Sequence, residues 1–221
     1  MLRDGIEDRI AEFVAEGGTV VMTYWSGLVE EHDLCYLGGF PGGGLREVFG
    51  IWDEETDILH SFEDNFISVE QGGALQLANR YETHDVCALI HAEGAQVLAS
   101  YGDNFYAGRP AVTVNEYGDG RAYYVASRNE DPFRADFYGS LIEDLGLGRV
   151  VDVQMPDGVT AQVRRDDETR YVFLMNFNRE PRSVELGTNG LTDLLNGEAA
   201  PETVELDGYG IRVLAEQVNA G

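Results

Sequence analysis

The sequence predicts an α/β open sheet over residues 1–148 and a small all-β antiparallel domain over 149–221. Three observations lead there. A helical pattern at residues 4–16 stops at Gly17-Gly18. It is followed by a continuous apolar, β-rich run at 19–25 and then by a long glycine-rich loop. Helix, buried strand and loop in that order are how an open α/β sheet is assembled. Further on, two β-rich runs at 111–115 and 121–126 flank a glycine-containing linker, and a second helical pattern follows. After Gly148 no helical period remains, and short β-rich runs alternate with turn residues, as in a small sandwich or half-barrel.

Each element has a local reason. In the first helix Asp4 can cap, Glu7 stands three residues later, and Ile6, Ile10, Phe13 and Val14 share one face. The run at 19–25 is apolar throughout, which predicts a central strand covered on both sides. Residues 26–44 carry six glycines and Pro41 with no period, and therefore read as loop. A short helical turn is expected at 45–49, irregular strands over 51–82, a short helix at 85–92 and a strand at 96–101. The linker at 116–120 predicts a hairpin. Asp131-Pro132 opens a helix to residue 145, with Phe133, Phe137, Leu141 and Leu145 on its buried face. In the second part strands are expected at 159–165, 170–176, 182–186, 203–206 and 211–214. Turns are expected at Asp166-Asp167, Asn189-Gly190, Asn196-Gly197 and Asp207-Gly208.

Composition narrows the function classes. A 43% hydrophobic and 25% charged composition is that of a soluble globular protein, and no run of 18 apolar residues could span a membrane. The N-terminus carries acids where a secretory signal needs an apolar core. There are 40 acids against 15 bases, net −25, and every base is Arg. Such a balance disfavours nucleic acid and anionic membranes as partners. Self-repulsion on this scale is tolerated where salt screens it, which predicts a halophilic, cytoplasmic setting. A GC-rich genome is the alternative source of the Arg bias. Two cysteines make no disulfide framework and fit a reducing compartment.

Several segments resemble the glycoside hydrolase family 42 β-galactosidases. Thr23-Tyr24, Ser26-Gly27, the acids of 30–33 and the Leu37-Gly38-Gly39-Phe40-Pro41-Gly42 run are similar to a strand and the loop after it in the family's trimerisation domain. The strand at 94–101, the Phe105–Val112 loop and the Tyr117–Val125 hairpin resemble later parts of it. Tyr171–Asn176, Leu194-Leu195-Asn196-Gly197 and the segment at 210–214 resemble its small C-terminal β domain. The resemblance implies a non-catalytic portion of an enzyme that hydrolyses terminal β-D-galactosides with retention. The catalytic barrel is absent, and the chain begins inside the α/β domain, at the helix before a middle strand. It further implies a homotrimer in the parent enzyme, association with the catalytic barrel of the same or a separate chain, and no cofactor. The α/β part also resembles flavodoxin-like and glutamine-amidotransferase-like open sheets. Trp25, Ser26, Tyr36, Phe40 and Arg109 are the expected subunit contacts or active-site rim.

Other motifs of the chain carry weaker chemical signals. Asn115-Glu116 and Asn129-Glu130 mimic an acid/base dipeptide of glycosidase barrels but stand beside a turn and before a helix. His32 with Cys35 and His84 with Cys87 form two H-D-[LV]-C pairs, the ligand types of a tetrahedral zinc site, 52 residues apart. Buried cysteines and solvated histidines are the simpler expectation. Cys35 and Ser26 lack the frame of a nucleophile elbow, which weakens an amidotransferase-like enzyme. The glycines of 38–44 have no Lys for a phosphate loop. Trp25, Tyr36, Phe40 and Trp52 could stack on a sugar, the reading of a stand-alone carbohydrate-binding module, or on a neighbouring subunit.

Overall fold

The computed structural model describes residues 1–70, 72–73, 75–187 and 190–217. The chain divides into two compact units, Met1–Leu145 and Gly146–Gly221. The first unit runs α1 (Ile6–Ala15), β1 (Thr19–Thr23), α2 (Leu45–Phe49), β2 (Ile51–Ile58), β3 (Asn65–Val69) and β4 (Arg80–Ala92). It continues with β5 (Gln96–Tyr101), β6 (Pro110–Tyr117), β7 (Gly120–Val125), β8 (Ser127–Asn129) and α3 (Asp131–Asp144). One mixed sheet has the order β1-β7-β6-β5-β3-β4-β2, with β8 paired to β4.

Helices cover both faces of that sheet. Strand alternation sends Tyr123 and Val125 to one side, where Phe133, Phe137 and Leu141 of α3 pack on them. Ala122 and Tyr124 point to the other side, against Val14 of α1 and Leu45, Val48 and Phe49 of α2. The layering of an α/β unit is therefore present, but the pairing is mostly antiparallel. Among the described strands only β1 and β7 pair in parallel, Thr19↔Arg121 through Thr23↔Val125.

Four expectations are corrected. The run at 19–25 holds β1, an edge strand with β7 as its one neighbour among the described strands, and not a central one. Residues 85–92 form the C-terminal part of β4, and not a helix. Cys87 and Leu89 feed one core while Ala88 and Ile90 feed the other. With both faces buried, Val86 to Ile90 are apolar at every position and the period of two is hidden in the sequence. Asp4 does not cap α1: Gly5, at φ 74°, occupies that position without a side-chain bond. The strands of the hairpin extend to Tyr117↔Gly120, leaving Gly118-Asp119 as the turn. The helical turn at Leu45–Phe49, strand β5 and α3 stand as expected, although Leu145 falls beyond α3 and is partly exposed.

The second unit holds β9 (Val159–Arg165), β10 (Thr169–Asn176), β11 (Arg182–Glu185), β12 (Thr192–Asp193), β13 (Glu198–Ala199), β14 (Thr203–Leu206) and β15 (Ile211–Gln217). They form a five-stranded antiparallel sheet, β13-β12-β15-β10-β9, and a β11-β14 pair. The Asp166 carboxylate closes the β9–β10 turn by accepting from the Glu168 and Thr169 amides at 3.0 and 2.7 Å. These bonds hold it below the usual carboxylate range. The two-residue strands β12 and β13 are additions to the expected set. Asn189 of the expected Asn189-Gly190 turn lies outside the described residues.

Candidate functional site: a glycine-rich loop pinned to the sheet

The loop at 26–44 leaves β1 through Tyr24 and Trp25. Trp25 has φ 60°, a backbone that bulky residues rarely adopt, and its ring is 52% exposed, edge-on to Tyr24. Ser26 is half-buried behind it. The Gly42 amide donates to the Gly27 carbonyl at 2.9 Å and draws the ends of the loop together. Between them, Val29 and Cys35 form a β-bridge. Glu30 folds the tip by accepting from the amides of His32 and Leu34 at 2.9 and 3.1 Å and from His32 Nδ1 at 2.8 Å. The His32 contact is the chief reason that Glu30 titrates below the usual range, and Glu30 in turn raises His32. The tip presents Leu34 and Leu37 to solvent, Leu37 fully.

The second half of the loop is fixed by close packing and by polar anchors. A Cβ on Gly42 would overlap the Tyr36 ring, and one on Gly43 would stand 2.9 Å from Glu7 of α1. Glycine is what lets Tyr36 and α1 close on the loop. The Phe40–Pro41 peptide is cis, and the Phe40 carbonyl accepts from the Asp53 amide at 2.8 Å. Asp53 stands where the β2–β4 register shifts, and it is buried. Loss of hydration pushes its carboxyl up to about 6, although the Tyr124 hydroxyl, 3.3 Å away, pulls the other way.

A surface ladder continues from the loop. Arg46 of α2 grips Glu93 with two bonds of 2.6 Å and donates to the Gly38 carbonyl at 3.2 Å. Its guanidinium also lies 5.6 Å from the centre of the Trp52 ring. Trp52 stacks on His91 at 4.8 Å. His91 and Arg109 both reach Glu54 at 2.7 Å. His91 first and Arg109 second keep Glu54 below the usual carboxylate range. Arg109 and Trp52 are thus joined to the loop through one chain of contacts. Tyr36 and Phe40 are half-buried parts of its packing, and Trp25 stands exposed where the loop begins.

The arrangement is built to hold a shape. Each carboxylate of the ladder is paired with a cation. Among the described residues, no histidine bonds to Ser26 or Cys35. The Asn115 amide serves α2, donating to the Val48 carbonyl at 2.9 Å, and Glu130 accepts from the Glu82 amide at 3.1 Å. Asn115 and Glu130 thus serve the packing of the fold, and Glu116 is exposed. His32, Cys35, His84 and Cys87 are not gathered: Cys35 is exposed in the loop, Cys87 is buried in β4 with its thiol pushed up by burial, and His84 is exposed. No cluster of three metal-type ligands exists among the described residues. Sequence reasoning missed Arg46, Asp53, Glu54, His91 and Glu93. The ion pairs of Arg46, Glu54, His91 and Glu93 join positions 37–55 residues apart, Asp53 meets Tyr124 71 residues on, and none of these contacts leaves a local signal.

A family model described as "Beta-galactosidase trimerisation domain" matches residues 1–148, and one described as "Beta-galactosidase C-terminal domain" matches 158–216. The chain is 48% identical to the β-galactosidase Pbg of Clostridium perfringens, over 97% of its own length and 31% of that protein's. Among solved structures, the β-galactosidase of Rahnella sp. R3 superposes with a TM-score of 0.80 at 45% identity, covering 99% of this chain and 31% of the other. That of Bacillus circulans gives 0.81 at 39% identity, covering 98% and 31%. The chain thus spans about a third of the length of these relatives.

Proposed function

The chain belongs to the glycoside hydrolase family 42 β-galactosidases, matching their trimerisation and C-terminal domains, and we propose that its role is assembly and not catalysis. The observation that carries this is the match of residues 1–148 to a trimerisation domain. In the longer enzyme, hydrolysis of terminal β-galactosides would fall to barrel glutamates outside these residues. The contact surface is the exposed part of the pinned loop: Trp25, Leu34 and Leu37 meet the neighbouring subunit. Tyr36, Phe40 and Arg109 hold that surface in place, and Ser26 backs it. A rigid apolar tip loses little conformational entropy on docking, which is what an assembly contact needs.

The parallel edge at β1 supports a finer fold reading. We infer that the sheet continues past β1 as a flavodoxin-like or glutamine-amidotransferase-like parallel sheet, since an unpaired edge is a pairing liability. Tyr138 and Ile142 of α3 and Phe13 of α1 remain exposed on the two helices that cover the sheet. The charge of −25 supports a salt-dependent, cytoplasmic protein. Hydrogen exchange at low and high protein concentration tests the assembly reading. Self-association through the loop protects the amides of residues 34–37 and of β1 at high concentration only. Equal exchange at both concentrations contradicts it.

A further inference from the structure

The five-stranded sheet of the second unit is apolar on both faces. Strand alternation sends Val172 and Leu174 of β10 and Leu214 of β15 inward, to the core shared with Val204 and Leu206 of β14. The residues between them point the other way. Tyr171, Phe173 and Met175 stand opposite Ala215, Val213 and Ile211. Leu194, whose amide donates to the Val213 carbonyl at 2.8 Å, extends the row beyond β15. Ile211 is 52% and Leu194 49% exposed, while Tyr171, Phe173, Met175 and Val213 are half-buried. An antiparallel strand with one wet face alternates apolar and polar residues. Strand β10 is instead apolar at every position from 171 to 175, the pattern of a strand covered on both sides.

Charge and size select the cover. The chain has 40 acids, yet the paired positions of β9, β10 and β15 on this face hold none. At the β9 margin Arg164 donates to the Val163 carbonyl at 2.8 Å and has no carboxylate partner among the described residues. A matching cover is therefore apolar at its centre, with an acid at its rim. Strands ~23 Å long and ~4.8 Å apart, from β9 to β12, make a face of roughly 400 Å², or ~800 Å² together with its cover. That is below the ~1,200 Å² at which separate partners form stable complexes. It lies inside the ~600–1,500 Å² of contacts between domains of one chain. A tether lets so small a contact hold, because it raises the effective concentration of the two sides. On the family reading above, we propose that in a longer β-galactosidase this face packs against the part of the same polypeptide outside these residues, the remainder beyond the 31% of Pbg that the chain matches.

Cysteine accessibility to a maleimide tests this. Ile211→Cys is made in a Cys35→Ser background, in the chain alone and in a chimera where the chain replaces the matched third of the Clostridium perfringens enzyme. In the chain alone the new thiol reacts as fast as that of Glu185→Cys, an exposed position of β11, at every protein concentration. In the chimera the Ile211→Cys thiol reacts about tenfold more slowly, as a contact that must open first requires, and the Glu185→Cys thiol is unchanged. The protection persists when Trp25→Glu and Leu37→Glu are added, so failure of assembly through the loop and failure of this contact are read separately. Three results overturn the proposal. Equal reactivity in chain and chimera means that nothing covers the face. Protection of the chain alone that grows with concentration makes a second copy the cover. Protection lost with the loop substitutions makes it a neighbouring subunit. Galactoside hydrolysis reports that the chimera has folded; where it is absent, cysteines at the aligned positions of Pbg itself decide between the same outcomes.

Discussion

The smaller unit is built around valine and leucine: Val159, Val172, Leu174, Val204, Leu206 and Leu214 meet without one aromatic ring among the described buried residues. The larger unit buries Tyr81, Tyr101, Tyr106, Tyr123 and Tyr124 together with Phe49 and Phe137. A buried tyrosine has to place its hydroxyl. Tyr81 donates to Asp136 at 2.6 Å, Tyr101 to the Ala88 carbonyl at 2.9 Å and Tyr106 to Asp57 at 2.8 Å. Burial raises the hydroxyls of Tyr81 and Tyr101, so they stay protonated and donate. An aliphatic core needs shape alone, and many sequences supply it. A core of satisfied tyrosines fixes particular strands against particular partners, and that unit is the one that carries the pinned loop.

The sharpest way to separate the two cores is to cut into each. Phe137 is fully buried and stacked on Phe133. Phe137→Ala should destabilise the larger unit by ~3–5 kcal/mol, and Leu174→Ala the smaller by ~2–5 kcal/mol. Calorimetry should show two different transitions moving, and a single transition shifted alike by both would erase the distinction between the units.

Asp53 gives the next effect, with a defined sign. Its folded carboxyl titrates at about 6 against 3.8 in the free side chain. The native state therefore binds its proton more tightly than the unfolded chain. Stability from this group is present at low pH, is lost as pH rises from about 4 to about 6, and levels off above that. Asp53→Asn should remove this slope and stabilise the protein at pH 7 by up to ~3 kcal/mol. Denaturant titrations at pH 4 and pH 7 read it, and a variant less stable than wild type at both would show that the buried charge is better satisfied than burial implies.

Loop packing ranks third. Gly42→Ala drives a methyl group into the Tyr36 ring and should cost ~1–3 kcal/mol as overpacking, with faster exchange of the loop amides. The smallest effect belongs to Arg46→Gln. It removes a solvent-exposed grip on Glu93 and Gly38, and such pairs contribute little to global stability. Trp52 emission should change while the melting temperature stays within error.

These ranks parallel what was legible in the sequence. The expected bounds of β9, β10 and β14 agree with the structure almost to the residue, because turn residues stand at their ends. A helix is expected at 85–92, within β4, because Val86 to Ile90 are apolar at every position and hide the period. The edge position of β1 could not be read, because an apolar run says that a strand is covered and not which strand is beside it. In the site, the glycines and aromatics of the loop announced themselves. The anchors did not: Asp53 looks like one more acid among 40, and its burial follows from the long-range bridge to Phe40.

The most direct test of the assembly account is the absolute mass of the chain in solution, by size exclusion with light scattering, in low salt and in ~2 M salt, where screening falls to a few ångströms. The account predicts a mass near three chains, favoured by salt, and a return to one chain in a Trp25→Glu, Leu37→Glu variant. A monomer at both salt concentrations would contradict it, because the assembly information would then lie outside these residues.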